Sequence, residues 1–436
     1  MQRVVKFITL GCKVNQYETN AMAQKFLEKG YKVIEEYEQN GEKPDICIIN
    51  TCTVTNMSDR KSRQMLRREK ENNKNVIVVA VGCYAQVAKN ELNKIPEIDL
   101  VLGNNEKVDI VKYVEDYINE NENNIEIEDV MQSRLFSDFG DITFTEKTRA
   151  VVKIQDGCDR FCSYCIIPYA RGRVRSRKPE SIISEITKIA EKDIKEVVIT
   201  GIHIASYGKD FKEEYKLIDL LEKINKIDGI ERIRLGSIEP LLITDEFVER
   251  LKKIDKICHH FHLSLQSGCD ETLKRMNRRY TTEQFKEIVK RLRNTYSDVN
   301  LTTDIIVGFP GETEEEFEKT YRFLDEIKFY KMHIFKYSQR KGTKAAVMQN
   351  QIPGDIKELR SRRLIELSNK NEFEINQKYI GKKVEVLFEE EKEGVFKGHT
   401  ANYILVYCND EKENLSNKIQ EVECIQNLND HILAKC

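Results

Sequence analysis

The chain of 436 residues is long enough for two or three domains, each with a core of its own. Its formal net charge of −2 excludes a wholly basic nucleic-acid binder, and no apolar run approaches the roughly 18 residues that a membrane span needs. The amino terminus lacks a signal-peptide pattern, so we expect a cytoplasmic protein with no membrane partner. Its 12 cysteines then favour metal chemistry over a disulfide framework.

Residues 1–118 alternate short apolar runs with helical patterns, which predicts an α/β amino-terminal domain on an open parallel sheet. Strands are expected at 4–10, 32–37, 45–50, 76–81 and 100–102. Cys12, Cys52 and Cys83 each follow one of these strands. The carboxyl ends of parallel strands share one edge, where the three thiols could converge. The pattern alone supports a cluster site and unrelated buried thiols equally, whereas Cys47, inside its strand, is expected in the core.

Residues 119–147 are polar and acidic without helical apolar spacing, and we interpret them as a linker that could cross the active face. Residues 148–377 then repeat a strand–helix unit six times. Strands are expected at 150–155, 196–201, 232–237, 261–266, 300–307 and 332–337, and a long helix at 355–379. Six units predict an open, partial (β/α)6 barrel with its chemistry on the loops that follow the strands.

Residues 378–436 change to short strands, expected at 383–388, 394–399, 403–407 and 417–422, which predict a small antiparallel β-barrel. From Tyr379 onward acidic residues outnumber lysines. An RNA contact here would therefore need a locally basic face or stacking aromatics such as Phe396, Tyr403 and Tyr407. The alternative is that this barrel only positions other elements.

Positive charge is concentrated in two other segments. The segment 149–178 carries eight basic residues against two acidic ones, and the helix-like segment 56–74 carries seven against three. Each is a candidate phosphate contact. For either segment alone, a solvated charged face explains the pattern at least as well.

The first barrel loop holds Cys158, Cys162 and Cys165 at intervals of four and three residues. Structural zinc usually takes four ligands in two separated pairs, whereas an iron–sulfur cluster can be held by three thiolates and keep one iron open. The spacing favours a cluster with a vacant coordination site, with zinc or three structural thiols as alternatives. The histidines of segment 259–262 are expected on alternate faces and are interpreted as core or surface residues.

The pattern Cys158-x3-Cys162-x2-Cys165, with Tyr164 before the last cysteine, resembles the signature of radical S-adenosylmethionine (SAM) enzymes. The resemblance implies that these three catalytic cysteines hold a 4Fe-4S cluster whose open iron binds SAM. In that family the ends of the other strands contact SAM. The candidate cofactor-binding residues carried over in this way are Tyr164, Gly201, Glu239, Gln266 and Asp304.

Three further segments resemble the amino-terminal domain of the methylthiotransferases, namely Gly11-Cys-Lys-Val-Asn-Gln-Tyr-Glu-Thr, Asn50-Thr-Cys-Thr-Val and Gly82-Cys-Tyr-Ala-Gln. This resemblance implies a second 4Fe-4S cluster held by Cys12, Cys52 and Cys83. The carboxy-terminal barrel is similar in position to the TRAM domain of that family, which is associated with RNA. The first segment is most similar to the bacterial branch that acts on N6-threonylcarbamoyladenosine at position 37 of tRNA.

The resemblance implies insertion of a methylthio group at adenine C2 by radical SAM chemistry. The expected partners are tRNA, SAM, a low-potential electron donor of the flavodoxin or ferredoxin type, and a sulfur donor of unknown identity. Arginines from Arg171 to Arg177 are candidates to bind the threonylcarbamoyl carboxylate, since a guanidinium suits that group. The alternatives are a methylthiotransferase acting on isopentenyladenosine and a non-catalytic RNA-binding protein stabilised by metals.

Overall fold

The structure is a computed structural model that describes residues 2–34, 43–120, 127–144, 148–409 and 414–435. It contains an amino-terminal parallel sheet, a central open barrel and a carboxy-terminal closed barrel. The predicted strand positions 35–37 lie outside the described residues. No helix in the described part of the chain combines the length and apolarity that crossing a bilayer would require.

The amino-terminal sheet has five parallel strands in the order β2-β1-β3-β4-β5. They are β1 (Val4–Thr9), β2 (Lys32–Ile34), β3 (Ile46–Thr51), β4 (Ile77–Gly82) and β5 (Leu100–Leu102). The helices are α1 (Lys13–Glu28), α2 (Asn56–Asn72), α3 (Cys83–Val87), α4 (Lys89–Leu92) and α5 (Ile110–Glu120). Alternate residues of β3 join different cores, because Ile48 packs with Phe26 of α1 whereas Cys47 packs with Leu66 of α2. Both faces of the sheet are therefore buried, and Cys47 is a core residue as predicted.

Residues 127–144 contain no helix or strand, yet they are not a free connection. Phe139 and Ile142 join the apolar core of the amino-terminal sheet. Arg177 of the central barrel donates a hydrogen bond to the carbonyl of Gly140 at 2.9 Å. This part of the predicted linker fills the seam between the two domains.

The central barrel contains six parallel strands, as the repeated unit predicts, and one short antiparallel strand at its edge. The strands are β6 (Arg149–Asp156), β7 (Arg175–Ser176), β8 (Glu196–Gly201), β9 (Arg232–Leu235), β10 (His260–His262), β11 (Asn300–Val307) and β12 (Lys331–Lys336). The helices are α6 (Ile167–Arg171), α7 (Pro179–Ala190), α8 (Leu217–Ile224), α9 (Asp245–Leu251), α10 (Asp270–Arg275), α11 (Thr282–Thr295), α12 (Glu314–Ile327) and α13 (Gly354–Gln377). Single bridges at Ile233–Ile257 and Ile238–Leu263 join the sheet β7-β6-β8-β9 to the sheet β10-β11-β12.

The carboxy-terminal barrel has five strands, one more than predicted, in the closed order β13-β14-β15-β17-β16. They are β13 (Lys383–Lys392), β14 (Val395–Thr400), β15 (Leu405–Asn409), β16 (Ile419–Asn427) and β17 (Ile432–Lys435). The prediction missed β17, which has only four residues. The prediction that all neighbouring strands are antiparallel was also wrong, because β15 and β17 run parallel and close the barrel.

This closed barrel docks on the amino-terminal ends of the central strands. Arg232 donates to the carbonyl of His399 at 2.9 Å, Arg234 to that of Ala401 at 3.0 Å, and Asn300 to that of Asn402 at 2.9 Å. The Tyr403 ring stacks on His260 with 4.4 Å between ring centroids. The closed barrel thus forms a floor under the central barrel, opposite the loops that follow its strands.

Two of the three aromatics proposed for RNA stacking are used inside the protein. Phe396 is buried in the carboxy-terminal core, and Tyr403 lies between His260 and His399. Tyr407 packs against His431. The contacts favour the alternative that the barrel positions other elements.

Candidate active site

The loop after β6 places Cys158, Cys162 and Cys165 at the carboxyl end of the barrel. Gly157 has φ +71°, and a Cβ there would lie 1.8 Å from the carbonyl oxygen of Arg173, so only glycine fits. The Cys158 amide donates to the carbonyl of Gly172 at 3.0 Å, and the Cys165 amide to that of Cys162 at 3.0 Å. These contacts fix the loop by its backbone and leave the three thiols half-buried.

The three thiols are close enough to affect one another electrostatically. Burial raises the pKa of Cys158 to about 11 and that of Cys165 to about 12, and the nearby Cys162 adds to both increases. Such a group of thiols resists ionisation by itself. A bound cation or cluster would supply the positive charge that stabilises the thiolates.

Arg278 connects this loop to Glu239, and sequence reasoning missed it. Its guanidinium donates to the Cys162 sulfur at 3.4 Å and to the Glu239 carboxylate at 2.9 Å. Burial acts against ionisation of Glu239, but a hydrogen bond with His203 and the charge of Arg278 hold its pKa below the ordinary value. No local signal distinguishes Arg278, which follows a short helix in a charged segment.

The second group of thiols assembles at the carboxyl edge of the amino-terminal sheet. A Cβ on Gly11 would lie 3.0 Å from the Cys52 sulfur, which shows how closely the Cys12 loop approaches Cys52. Burial raises the pKa of Cys52 to about 11, and the neighbouring Cys83 and Cys12 contribute to the increase. The structure therefore brings together the three cysteines that follow β1, β3 and β4.

Arg171 links the two groups of thiols. It ends α6, directly after the Cys165 loop, and it is fully buried. Its guanidinium donates to the Cys83 sulfur at 3.1 Å, to the Glu18 carboxylate at 2.7 Å and to the Asn15 side chain at 2.8 Å. Both cysteine sites are thus anchored to one buried network of charges.

The spread of the sulfurs discriminates between a single ion and a cluster. Among the described residues, the group of three potential ligands whose donor atoms all lie within 4.8 Å of one another is His262, Asp304 and His333, and neither cysteine group meets that limit. Zn–S bonds of about 2.3 Å in a tetrahedron place sulfurs only about 3.8 Å apart. Both cysteine groups are therefore wider than a tetrahedral zinc site, as a multi-iron cluster held by three thiolates requires.

Two cavities are each lined by one of these cysteines. The mouth cavity, of ≈190 Å³, is lined by Cys165 and by Val54 and Thr55, which follow Cys52. The barrel cavity, of ≈670 Å³, is lined by Cys12 and by the inner faces of the central strands. Asp304 and Phe335 line both cavities, which are therefore neighbours inside the barrel.

Four of the five residues carried over as SAM contacts line the two cavities, and Glu239 does not. Tyr164, Gln266 and Asp304 line the mouth cavity, and Gly201 with Asp304 lines the barrel cavity. Glu239 lies instead beside Arg278 and His203. Strand β10 ends before Gln266, contrary to the predicted strand 261–266, and Gln266 takes φ +73°. Gln266 thus lies in the connection between the end of β10 and the start of α10.

Burial contradicts the suggestion that Arg171, Arg175 or Arg177 binds a substrate carboxylate, whereas Arg173 is exposed and pairs with Asp159 at 3.2 Å. Arg171 and Arg177 have no exposed surface, and Arg175 is 1 % exposed. Arg177 pairs with Glu185 at 2.5 Å, and Arg175 donates to the carbonyl of Arg171 at 2.9 Å. Much of the positive charge in segment 149–178 is therefore internal and unavailable to a ligand or to RNA.

Two family models match the chain. One, described as Radical SAM superfamily, matches residues 152–324, which contain the Cys158 loop. The other, described as Uncharacterized protein family UPF0004, matches residues 4–103, which contain Cys12, Cys52 and Cys83. Together with the open barrel and its thiol loop, these matches define a radical SAM enzyme that uses SAM and iron–sulfur chemistry.

Relatives that match along most of the chain identify the family within the radical SAM enzymes. The chain is 43% identical over 408 residues to the threonylcarbamoyladenosine tRNA methylthiotransferase MtaB of Bacillus subtilis (strain 168), covering 92% of this chain and 89% of the relative. It is 38% identical over 388 residues to the tRNA-2-methylthio-N(6)-dimethylallyladenosine synthase of Thermoanaerobacter sp. (strain X514), covering 87% and 81%. The protein belongs to the tRNA methylthiotransferase family of radical SAM enzymes.

A solved structure supports the fold alone. The radical SAM methyltransferase TsrM from Kitasatospora setae, with cobalamin and a 4Fe-4S cluster bound, superposes with a TM-score of 0.58 at 16% identity. The superposition covers 80% of this chain and 77% of that one.

Proposed function

We propose that this enzyme inserts a methylthio group at C2 of N6-threonylcarbamoyladenosine at position 37 of tRNA, using two 4Fe-4S clusters. The observation that carries the proposal is the presence of two groups of three thiols beside two neighbouring cavities that share Asp304 in their linings. Cys158, Cys162 and Cys165 hold one cluster at the barrel, and Cys12, Cys52 and Cys83 hold the other at the sheet edge. The identity of the first relative supports the threonylcarbamoyl substrate.

Each domain has a separate task in this proposal. Residues 1–118 present the second cluster, residues 148–377 form the SAM barrel, and residues 119–147 connect them. Residues 378–436, the TRAM-like barrel, seal the floor of the SAM barrel. The partner that reduces the barrel cluster is a low-potential donor of the flavodoxin or ferredoxin type.

The chemistry requires a radical because C2–H of adenine is not acidic enough for a side-chain base at neutral pH. When bound, the clusters and SAM supply a 5′-deoxyadenosyl radical for hydrogen abstraction and the sulfur that the carbon accepts. The protein binds and orients the reactants and excludes water. In this scheme Tyr164, Gly201, Glu239, Gln266 and Asp304 position SAM around the two cavities.

The Cys52 loop is clamped to the barrel by Arg340, which fixes the gap between the two sites. Arg340 donates to Thr53 at 2.7 Å and to Asn56 at 2.6 Å, and it pairs with Asp59 at 2.6 Å. It is only 6% exposed. A bidentate, buried contact of this kind holds one loop against the other with little freedom.

The tRNA contact is proposed along α2, which begins directly after the Cys52 loop. Arg60, Lys61 and Arg68 are exposed on this helix and form no ion pair within the part of the chain that the structure describes. At the start of the helix, Val54 and Met57 are 52% and 69% exposed. Positive charge beside an apolar edge suits a phosphate backbone with an unstacked base. An anticodon loop is where a base leaves its stack at low cost.

The test is nucleoside mass spectrometry of tRNA from cells that lack the gene. We expect loss of the methylthio form of threonylcarbamoyladenosine, restored by the wild-type gene and not by Cys162→Ala. Loss of the methylthio form of dimethylallyladenosine instead would assign the other branch. Unchanged tRNA modification, with tightly bound zinc in the purified protein, would favour the RNA-binding alternative.

A further inference from the structure

The acidic side chains that line the barrel cavity have basic neighbours. Each of its three acidic side chains lies against a basic group. The pairs are Asp304 with His262 at 3.2 Å, Glu372 with Lys331 at 2.9 Å, and Asp430 with His431 at 2.8 Å. Each carboxylate of the cavity therefore already has a basic neighbour.

Lys13 is different. It lines the same cavity directly beside Cys12, at the first turn of α1. Its ammonium makes neither an ion pair nor a hydrogen bond with any residue in the described ranges, whereas Lys331, the other lysine lining the cavity, is held by Glu372. The nearest guanidinium groups, those of Arg149 and Arg234, are themselves paired with Glu389 and Glu196. Of the two lysines that line the cavity, Lys13 is thus the one without an ion-pair partner among the described residues.

An unpaired cation on a cavity wall favours an anionic ligand, because a direct ion pair offsets the water that the charge loses when the cavity is filled. Threonylcarbamoyladenosine carries a carboxylate on its N6 substituent, whereas dimethylallyladenosine carries only hydrocarbon there. The two substrate names found among the relatives differ in this charge. A hydrocarbon substituent would leave the Lys13 ammonium unpaired, and specificity of this kind depends on that penalty.

We propose that Lys13 binds the carboxylate of the N6 substituent and so selects threonylcarbamoyladenosine over adenosines with apolar N6 groups. The inference rests on the proposed function and adds the residue that reads the substrate. The position of Lys13 beside Cys12 is consistent with that role, since a base presenting C2 toward the second cysteine group would carry its N6 substituent into the adjoining cavity.

The test uses the cluster-loaded enzyme and anticodon stem–loops that carry threonylcarbamoyladenosine, its methyl ester or dimethylallyladenosine at position 37. Dissociation constants are measured by fluorescence anisotropy and product formation by mass spectrometry. The variants are Lys13→Gln, which removes the charge, and Lys13→Arg, which keeps it. Lys29→Gln, at the other end of α1, is the matched control. Iron content and the absorption spectrum show whether each variant retains its clusters.

We expect the wild-type enzyme and Lys29→Gln to bind the acid at least about tenfold more tightly than the ester, as a charge-assisted contact requires. Lys13→Gln should reduce that difference to about twofold or less, and Lys13→Arg should retain most of it. Equal wild-type affinity for acid and ester would overturn the inference even if a variant failed to fold. So would an undiminished preference in Lys13→Gln.

The same experiment separates this inference from the proposed function. If the wild-type enzyme methylthiolates the threonylcarbamoyl substrate and Lys13→Gln keeps the acid-over-ester preference, only the role of Lys13 fails. If the wild-type enzyme forms no methylthio product on that substrate, the proposed function fails, and the role of Lys13 fails with it.

Discussion

The two cysteine groups differ in how the chain builds them. Cys158, Cys162 and Cys165 lie in one loop, so backbone contacts within a few residues bring them together. Cys12, Cys52 and Cys83 meet only because β1, β3 and β4 are adjacent parallel strands that end at one edge. The first site is a property of local sequence, whereas the second is a property of the folded sheet.

The largest effect is expected for Cys162→Ala, which removes one thiol of the barrel group. We expect SAM cleavage and methylthio transfer both to fall to the detection limit, because two thiolates do not hold the barrel cluster in place. The sheet-edge group is untouched, so part of the iron and its absorption should remain. The measurements are 5′-deoxyadenosine and methylthio nucleoside by mass spectrometry. Residual SAM cleavage above background would contradict the assignment of Cys162.

Cys52→Ala should affect only the sheet-edge group of cysteines. We expect methylthio transfer to be lost while SAM is still cleaved to 5′-deoxyadenosine, because Cys158, Cys162 and Cys165 are held by backbone contacts of their own loop. Cys47→Ala is the matched control, since Cys47 is a fully buried residue of β3, the strand that Cys52 follows. Loss of methylthio product in the control to the same extent would indicate damage to the sheet rather than to a cluster.

The difference between the sites also sets how much the sequence can predict. The spacing of the Cys158 loop predicts a cluster without knowledge of the fold, because loop geometry is local. The edge of the sheet was predicted from strand periodicity, but that periodicity left unrelated thiols as an equal interpretation for Cys12, Cys52 and Cys83. Only the arrangement of strands in space distinguishes the two.

Long-range polar contacts were beyond sequence reasoning. Arg171 and Arg175 look like a surface patch in a basic segment, yet both are buried. Asp156 of the same segment lies within ion-pair distance of both, and Glu18, distant in sequence, pairs with Arg171. Arg278 touches Cys162 from a segment that carries no motif. Periodicity reports which face of an element is apolar and contains no information on which charges will pair.

A substitution of Arg340 tests the relation between the two cysteine groups without changing a thiol, because Arg340 holds the Cys52 loop against the barrel. We expect Arg340→Ala to lower methylthio transfer about a hundredfold through misplacement of the Cys52 loop, with SAM cleavage largely retained. Arg340→Lys keeps the charge but cannot make the forked contact to Thr53, Asn56 and Asp59, so an intermediate loss is expected. The readout is the ratio of 5′-deoxyadenosine to methylthio product. An unchanged ratio in Arg340→Ala would show that the clamp does not set the geometry.

The smallest effect concerns the surface that extends from the sheet-edge site. Neutralising Arg60, Lys61 and Arg68 of α2 with glutamine should weaken tRNA binding about tenfold and reduce the slope of log K against log salt by about two to three. SAM cleavage without tRNA should not change.

The control neutralises three exposed lysines at the floor of the molecule, Lys370, Lys378 and Lys382. Because the carboxy-terminal barrel uses Phe396 and Tyr403 internally, we expect this control to leave affinity and salt slope nearly unchanged. The measurement is a salt titration by fluorescence anisotropy. An equal loss of slope in both triple variants would mean that tRNA reaches the floor as well, and the RNA contact would then belong to both ends of the molecule.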